Sequence, residues 1–391
     1  MIKNMKDFSS LSQKHQSVIQ RKLDQLLASL IGSAGIKEAI ASIETGDGLF
    51  RWLGAAGSPP ATDKQQITNI PFFIASVTKL FITASILRLQ EMKLLGLDQP
   101  ASLYLPEGFL TGLLRTRDGR DLTSEITIAQ LLSHTSGLPD YLEMKDDRGK
   151  SLVDRIIKEE DQSFTIQDFL EIVRKCGKPI RPVQRVSPIS FRAYYADTNF
   201  QILFAVLENV CNRTIKQVFT DLIYTPLGIK STFLPGPATS RRDLFEAFPV
   251  RAGDKILNRP MALRSFGDLY STISELNIFM RSLINGQLFN NPETARLMTS
   301  GWKRFGFRFG SFSPGWPIEY GLGIMRFKPP AFLGPFRRLP AVIGHTGAVG
   351  SWLFYCPGLD LYMAGTVNQL KAAAIPFRFV MKVLNFFYSL K

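Results

Sequence analysis

"NIPFFIASVTKLFITASILRLQEMKLLGLDQPASLYLP", residues 69–106, opens as a buried strand and continues as an amphipathic helix. At the crossing stand Ser76 and, one turn later, Lys79, with apolar residues all round them. A spacing of three puts both side chains on one face of the helix start, with the positive end of the helix dipole beneath the serine oxygen. That placement suits a nucleophile. A serine hydroxyl attacks a carbonyl poorly unless a neighbour takes its proton, and a lysine with its ordinary pKa of about 10.4 is charged at neutral pH. Burial beside Phe72, Phe73, Ile74, Leu80 and Phe81 can lower such a pKa by about 3 to 5 units. The plainer alternative is a helix-capping serine with a lysine that reaches out to solvent. Spacing alone does not choose, because Ser-x-x-Lys arises by chance roughly once in a chain this long. "SGWK" indeed repeats it with Ser300 and Lys303, in a Gly- and aromatic-rich stretch that lacks the strand-to-helix context.

The chain has 391 residues, 45% hydrophobic and 20% charged, which fits one large or two interlocked globular domains. Its three cysteines, Cys176, Cys211 and Cys356, include no CxxC pair, so reduced, buried thiols are expected rather than a disulfide framework or a thiolate zinc site. Three histidines, His15, His134 and His345, cannot assemble an HExxH constellation, so no metal and no cofactor is expected. The first residues contain no apolar stretch ending in a small-residue cleavage site, and 17–31 reads as an amphipathic helix. No window reaches the roughly 18 apolar residues that span a bilayer. A cytoplasmic location is the resulting expectation. The formal charge of +14 is scattered, without a nucleic-acid-binding motif, so no nucleic-acid partner is expected.

Residues 36–57, "IKEAIASIETGDGLFRWLGAAG", read as two strands around a Gly-Asp-Gly turn. From about 76 to 250 the period is helical. "EYGLGIMRF", "AVIGHTGAVGSWLFYC" and "LDLYMAGTVNQ" return to apolar, alternating, Gly-punctuated strands. Strands at both ends with helices between suggest one sheet built from both termini and carrying a helical insertion. His134, in "SHTSG", reads as a structural turn residue, since no G-x-S-x-G elbow exists for it to serve. In "IPFRFVMKVLNFFYSLK", Arg378, Lys382, Asn385 and Ser389 form a polar stripe on an apolar helix, expected to pack on the sheet. Peripheral membrane contact through that helix, or through the aromatic and basic loops "WKRFGFRFGSFSPGWP" and "FKPPAFLGPFRRLP", is the rival reading. Those loops could equally wall an acyl-binding cleft.

Two further stretches join the serine and lysine. "AYYADTNFQILFAVLENV" sets Tyr195, Asp197 and Asn199 before an apolar helix, and "AVIGHTGAVGSW" sets His345, Thr346 and Gly347 in a strand. With these the chain resembles the penicillin-recognising serine hydrolases: class C β-lactamases, DD-carboxypeptidases and their esterase relatives. That family carries Ser-x-x-Lys, Tyr-x-Asn or a variant, and Lys/His-Thr-Gly in this order, and the likeness runs from about residue 15 to 390. The resemblance implies a β-lactamase/transpeptidase-like α/β (α+β) fold, an antiparallel sheet flanked by helices. We expect a discontinuous sheet domain, 1–75 and 262–391, a mostly helical domain, 76–261, and a cleft between them. It further implies Ser76 as nucleophile, Lys79 as its proton-handling partner and Tyr195 as second general acid/base. His345 and Thr346 would line the substrate side of a sheet-edge strand. The oxyanion hole would be the backbone N–H groups of Ser76 and Ala348, with Gly347 allowing close approach of a substrate backbone.

Two positions depart from the β-lactamase pattern. Asp197 stands where many relatives have asparagine, and an ionised carboxylate cannot donate a hydrogen bond to a substrate carbonyl. Pairing with Lys79 is its expected use, which raises the lysine pKa against burial and moves the base role toward Tyr195. His345 replaces a permanently charged lysine that holds substrate carboxylates in those relatives, and with an ordinary pKa of about 6.5 its charge becomes conditional on pH. Both changes count against efficient penicillin turnover. A serine hydrolase acting through a covalent acyl-enzyme on an ester, amide or small peptide is the functional reading. Its alternatives are an acyltransferase using the same residues and a non-catalytic binding or assembly module retaining the fold.

Overall fold

The computed structural model describes residues 13–57, 63–146, 149–158, 161–177, 192–235, 247–305, 317–328 and 339–390. Among the described residues nine strands form one sheet in the order Arg51–Gly57, Glu38–Thr45, Leu361–Thr366, Ser351–Cys356, Val342–Thr346, Met325–Phe327, Ile318–Tyr320, Lys303–Phe305, Arg192–Ala193. The N-terminal hairpin therefore sits beside the last strand of the chain, Ile40 opposite Thr366. All neighbours are antiparallel except the two-residue strand Arg192–Ala193, which runs parallel to Lys303–Phe305. This edge strand comes from the otherwise helical centre of the chain, so the sheet is not built from the termini alone.

Alternation along the strands sends side chains to two different cores. Ala39, Ala41, Trp352, Phe354 and Met363 pack with Leu23 and Leu27 of the helix Gln13–Ala28 and with Phe377, Val380 and Leu384 of the helix Ile375–Ser389. Ile40, Leu353, Tyr362 and Ala364 face the opposite way, toward Leu276, Phe279 and Met280 of the helix Ile273–Ile284. Helices thus cover both faces, and a strand such as Leu361–Thr366 is buried along its whole length. Each fully buried Leu or Phe contributes about 1.5–3 kcal/mol. Arg378, Lys382, Asn385 and Ser389 lie exposed along the terminal helix, opposite its buried face.

The helix Thr78–Glu91 occupies the centre of the molecule. It was expected to be amphipathic, yet its residues from Thr78 to Leu87 are all buried, with Phe81 stacked on Phe279 at 3.7 Å between ring centres. Helices on several sides leave it no solvent face, as an all-round apolar helix requires. The two-residue strand Phe72–Phe73 precedes it, paired with Tyr270–Ser271. Residues 306–316 and 329–338, and with them most of the aromatic and basic stretches, lie outside the described residues. Among the described residues no helix is long and apolar enough to cross a membrane. Cys356 is buried, whereas Cys176 and Cys211 are only half-buried.

Candidate active site

Ser76 sits in a single 3-10 turn, Ala75–Val77, that joins the Phe72–Phe73 strand to the central helix. Ala75 takes the left-handed conformation, φ 46°, which costs a non-glycine residue about 1 to 2 kcal/mol and turns the chain sharply before the serine. Two contacts hold that turn: Ile74 N–H donates to the Leu269 carbonyl at 2.9 Å, and Ser351 Oγ donates to the Ile74 carbonyl at 2.8 Å. The half-buried Ser76 hydroxyl meets Lys79 Nζ and the Tyr195 hydroxyl, each at 3.0 Å. Ser300, by contrast, is exposed and donates to the Leu297 carbonyl at 2.8 Å. The helix-start context separates the two copies of the motif.

Asp197 opens the helix Asp197–Cys211, and its carboxylate lies 2.5 Å from Lys79 Nζ. Burial pulls the Lys79 pKa down, but Asp197, then Asp268 and Tyr320, raise it, and the lysine ends above its ordinary value. Burial, then Asp197, also pushes the Tyr195 phenol well above the usual tyrosine range, against the opposing hydrogen bond to Ser76. The expected shift of base character from lysine to tyrosine therefore does not follow from electrostatics: the same carboxylate keeps both groups protonated at neutral pH. Lys79 is an ammonium and Tyr195 a phenol in the resting site.

His345 corrects a second expectation. Its ring is fully buried behind the cleft wall, with Nε2 2.9 Å from the Tyr320 hydroxyl and Nδ1 2.8 Å from the Thr346 carbonyl. Burial, with Lys79 adding to it, lowers its pKa to about 3. It is neutral throughout the physiological range and is not among the residues lining the cavity, so it cannot hold a substrate carboxylate. Nor is Val342–Thr346 an edge strand: it lies between Met325–Phe327 and Ser351–Cys356. Its pairing with Met325–Phe327 stops at Gly344 opposite Met325, however. The overhanging end, continuing through Thr346, Gly347 and Ala348, lines the cavity with Ser76, Lys79, Tyr195 and Asp197. Among the described residues the Ala348 N–H has no protein acceptor, and the Ser76 N–H belongs to the first turn, where helices leave donors unpaired. Gly347 packs against the serine turn. A Cβ there would stand 2.3 Å from Ser351 Oγ and 2.7 Å from the Ile74 carbonyl oxygen.

Sequence reading missed a supporting layer. His134 is indeed in a turn, with φ 54°, but it is fully buried and its ring lies 4.3 Å from that of Tyr195. The Ala196 N–H donates to its Nδ1 at 3.2 Å, and Asn199 Nδ2 lies 2.9 Å from the same nitrogen. Ser136 Oγ donates to Asn199 Oδ1 at 2.6 Å. Asn199 thus lies beneath the cleft and steadies the segment that carries Tyr195 and Asp197. Asp140 and Asp268 were also missed; both line the cavity. Burial, then Asp197, drives Asp140 well above the usual carboxylate range, and burial raises Asp268 to about 7.

A family model described as Beta-lactamase matches residues 24–378. The chain is similar to the D-alanyl-D-alanine-carboxypeptidase/endopeptidase AmpH of Escherichia coli (strain K12), 24% identical over 344 residues that cover 86% of this chain and 79% of that protein. Among solved structures it is similar to D-amino acid amidase from Ochrobactrum anthropi SV3, with TM-score 0.70, 17% identity, and 94% and 99% of the two chains covered. A D-stereospecific amidohydrolase from Streptomyces sp. gives TM-score 0.64 at 22% identity, covering 94% and 97%. The expected β-lactamase/transpeptidase-like fold is the one observed.

Proposed function

As a member of the Beta-lactamase family, to which the chain belongs, this protein is a serine hydrolase of amides, esters or peptides, and we propose that it works through a covalent acyl-enzyme on Ser76. One observation carries the proposal: Ser76 Oγ is met at 3.0 Å by two proton-handling groups, Lys79 and Tyr195. Its site residues are Ser76, Lys79 and Tyr195, with Asp197 as counter-ion and the Ser76 and Ala348 N–H groups as oxyanion donors.

Since Lys79 rests as an ammonium, it accepts the serine proton only as it releases one of its own to Asp197. Ser76 Oγ then bonds to the substrate carbonyl carbon, and the carbonyl oxygen takes up negative charge between the two N–H donors. Tyr195, a neutral phenol, gives its proton to the leaving group as the scissile bond breaks and regains one from Lys79, which recovers its own from Asp197. The balance is one proton moved from serine to leaving group. Water reverses the path: its oxygen attacks the acyl carbonyl, and a proton returns to Ser76 Oγ as the acyl bond breaks.

The cleft is the junction of the two proposed domains, 76–261 contributing Tyr141 and Phe200 to its lining and 262–391 contributing Met325 and Thr346. The lining is mostly apolar, and with His345 neutral no cation of the strand is offered to a substrate carboxylate. An ester, amide or small peptide fits that lining better than a β-lactam, whose turnover should be weak. Fluorophosphonate labelling with peptide mapping tests the nucleophile: label belongs on the Ser76 peptide and should vanish in Ser76→Ala. Label that persists in that variant, or that maps to Ser300, overturns the proposal.

A further inference from the structure

We propose that His134 is a positioning residue for Tyr195, holding the phenol where its proton can reach the leaving group. The inference rests on the proposed acyl-enzyme reading and deepens its proton-transfer step.

Tyr195 stands on a weakly braced piece of chain. It is the middle residue of the short link 194–196 between the two-residue strand Arg192–Ala193 and the helix Asp197–Cys211. Ala196 is the N-cap of that helix, and an alanine side chain has no acceptor with which to fix a helix start. Where the phenol points therefore depends on what grips the link from outside.

His134 grips it on both sides of the tyrosine. Its carbonyl accepts the Tyr194 N–H at 2.8 Å, and its Nδ1 accepts the Ala196 N–H at 3.2 Å. Its ring lies against the Tyr195 ring, with centroids 4.3 Å apart and planes 32° from parallel. The rings of Phe305, Tyr320 and His345 all stand more than 6 Å from that of Tyr195. One residue thus fixes the two backbone neighbours of Tyr195 and packs on its face.

His134 is itself firmly held. Its left-handed backbone, φ 54°, is a conformation that a residue with a side chain keeps only where its surroundings dictate it. The turn is tied to the helix Ile128–Leu132 before it, His134 N–H donating to the Leu131 carbonyl at 3.2 Å and Thr135 N–H to the Gln130 carbonyl at 2.9 Å. Ser136 Oγ donates to Asn199 Oδ1, which turns Asn199 Nδ2 toward the ring as a donor, 2.9 Å from Nδ1. Two donors converge on Nδ1, so that nitrogen is unprotonated and the ring proton sits on Nε2. The imidazole is not among the residues that line the cavity. It acts on the reaction through Tyr195.

The test uses leaving groups. p-Nitrophenyl butyrate and ethyl butyrate give the same acyl-enzyme and differ in the alcohol expelled: p-nitrophenolate departs as an anion, whereas ethoxide departs only as it takes a proton. General-acid help is typically worth about a hundredfold or more, and a misplacement of about 1 Å can remove as much. In His134→Ala, kcat/KM should fall about a hundredfold for the ethyl ester and less than about tenfold for the nitrophenyl ester, with KM within about twofold of the parent. The ethyl-to-nitrophenyl ratio then drops by roughly tenfold or more, in the same sense as in Tyr195→Phe. His134→Asn should recover part of that drop, because its Oδ1 stands as many bonds from Cα as Nδ1 does and asparagine tolerates the left-handed backbone. Ser136→Ala, which loosens Asn199, should lower the ratio by a smaller factor, and it reads the inference should the variants at 134 fail to fold. A ratio unchanged in the folded variants at 134 and 136 while Tyr195→Phe lowers it, or a loss shared equally by the two esters, overturns the inference and leaves the acyl-enzyme reading standing. A ratio untouched by Tyr195→Phe, or a parent inactive on both esters, overturns the reading of Tyr195 as proton donor and this inference with it.

Discussion

The Asp197 carboxylate holds the Lys79 ammonium at 2.5 Å while the same nitrogen lies 3.0 Å from Ser76 Oγ. Two residues 118 positions apart in sequence thus decide the protonation state of the group beside Ser76. In its resting form the site is charged and closed to simple base catalysis, and Asp197 is the nearest sink for a proton.

Asp197→Asn removes that sink and lets burial, the largest influence on Lys79, lower the lysine pKa. Its kcat/KM on p-nitrophenyl butyrate should fall about ten- to a hundredfold at pH 7 and recover toward pH 10, as Lys79 becomes a neutral base in its own right. The informative quantity is the variant-to-parent ratio from pH 6 to 10. A ratio independent of pH would mean that Asp197 handles no proton.

Gly347→Ala tests how tightly the strand end and the serine turn must approach. The new Cβ would lie 2.3 Å from Ser351 Oγ and 2.7 Å from the Ile74 carbonyl oxygen, so the backbone has to move at the proposed oxyanion donors. A displacement of about 1 Å can cost a hundredfold in rate. We expect kcat to fall by about that factor, with a lower Tm by calorimetry, and only partial recovery in Ser351→Ala, which leaves the carbonyl clash. Parental kcat in Gly347→Ala would show that the gap is not needed.

Much of this was legible before any coordinates. Ser76, Lys79 and Tyr195 announce themselves by ordered motifs, and strands such as Ser351–Cys356 by apolar alternation between glycines. His345 was misjudged because strand pattern says which residues share a face and not what covers that face; its partner Tyr320 comes from a different strand. Asp140 and Asp268 carry no signal, since an acid next to proline or glycine reads as an ordinary solvated turn. Arg192–Ala193 is too short for any period to register, though it delivers Tyr195 to the site.

His345 supplies a prediction about stability. The folded ring titrates near 3 and an unfolded one near 6.5, so between these values the unfolded chain binds the extra proton. Stability should therefore fall as pH drops from about 6.5 toward 3, by at most about 1.4 kcal/mol per pH unit from this group. Urea unfolding at pH 4, 5, 6 and 7 should show a weaker dependence in His345→Gln than in the parent. Across pH 5 to 8 the ring keeps one charge state, so KM for a carboxylate-bearing substrate should show no inflection from it. Superimposable stability curves would place the imidazole in water.

The last prediction concerns β-lactams. Nitrocefin carries a carboxylate, and among the described residues the one cation lining the cleft, Lys79, is already paired with Asp197. Loss of one charge-assisted hydrogen bond is worth roughly ten- to a hundredfold in KM, so kcat/KM for nitrocefin should trail that for p-nitrophenyl butyrate by at least that factor. Restoring a lysine at the strand should not close the gap. In His345→Lys a second ammonium would be enclosed beside Tyr320, under the field of Lys79, and burial of a like charge destabilises the fold before it can serve a substrate. We expect a lower Tm and an unchanged nitrocefin-to-ester ratio in that variant. Nitrocefin turnover that rises in His345→Lys would mean the side chain at 345 reaches the cleft, and the buried, neutral role assigned to the imidazole would have to be abandoned.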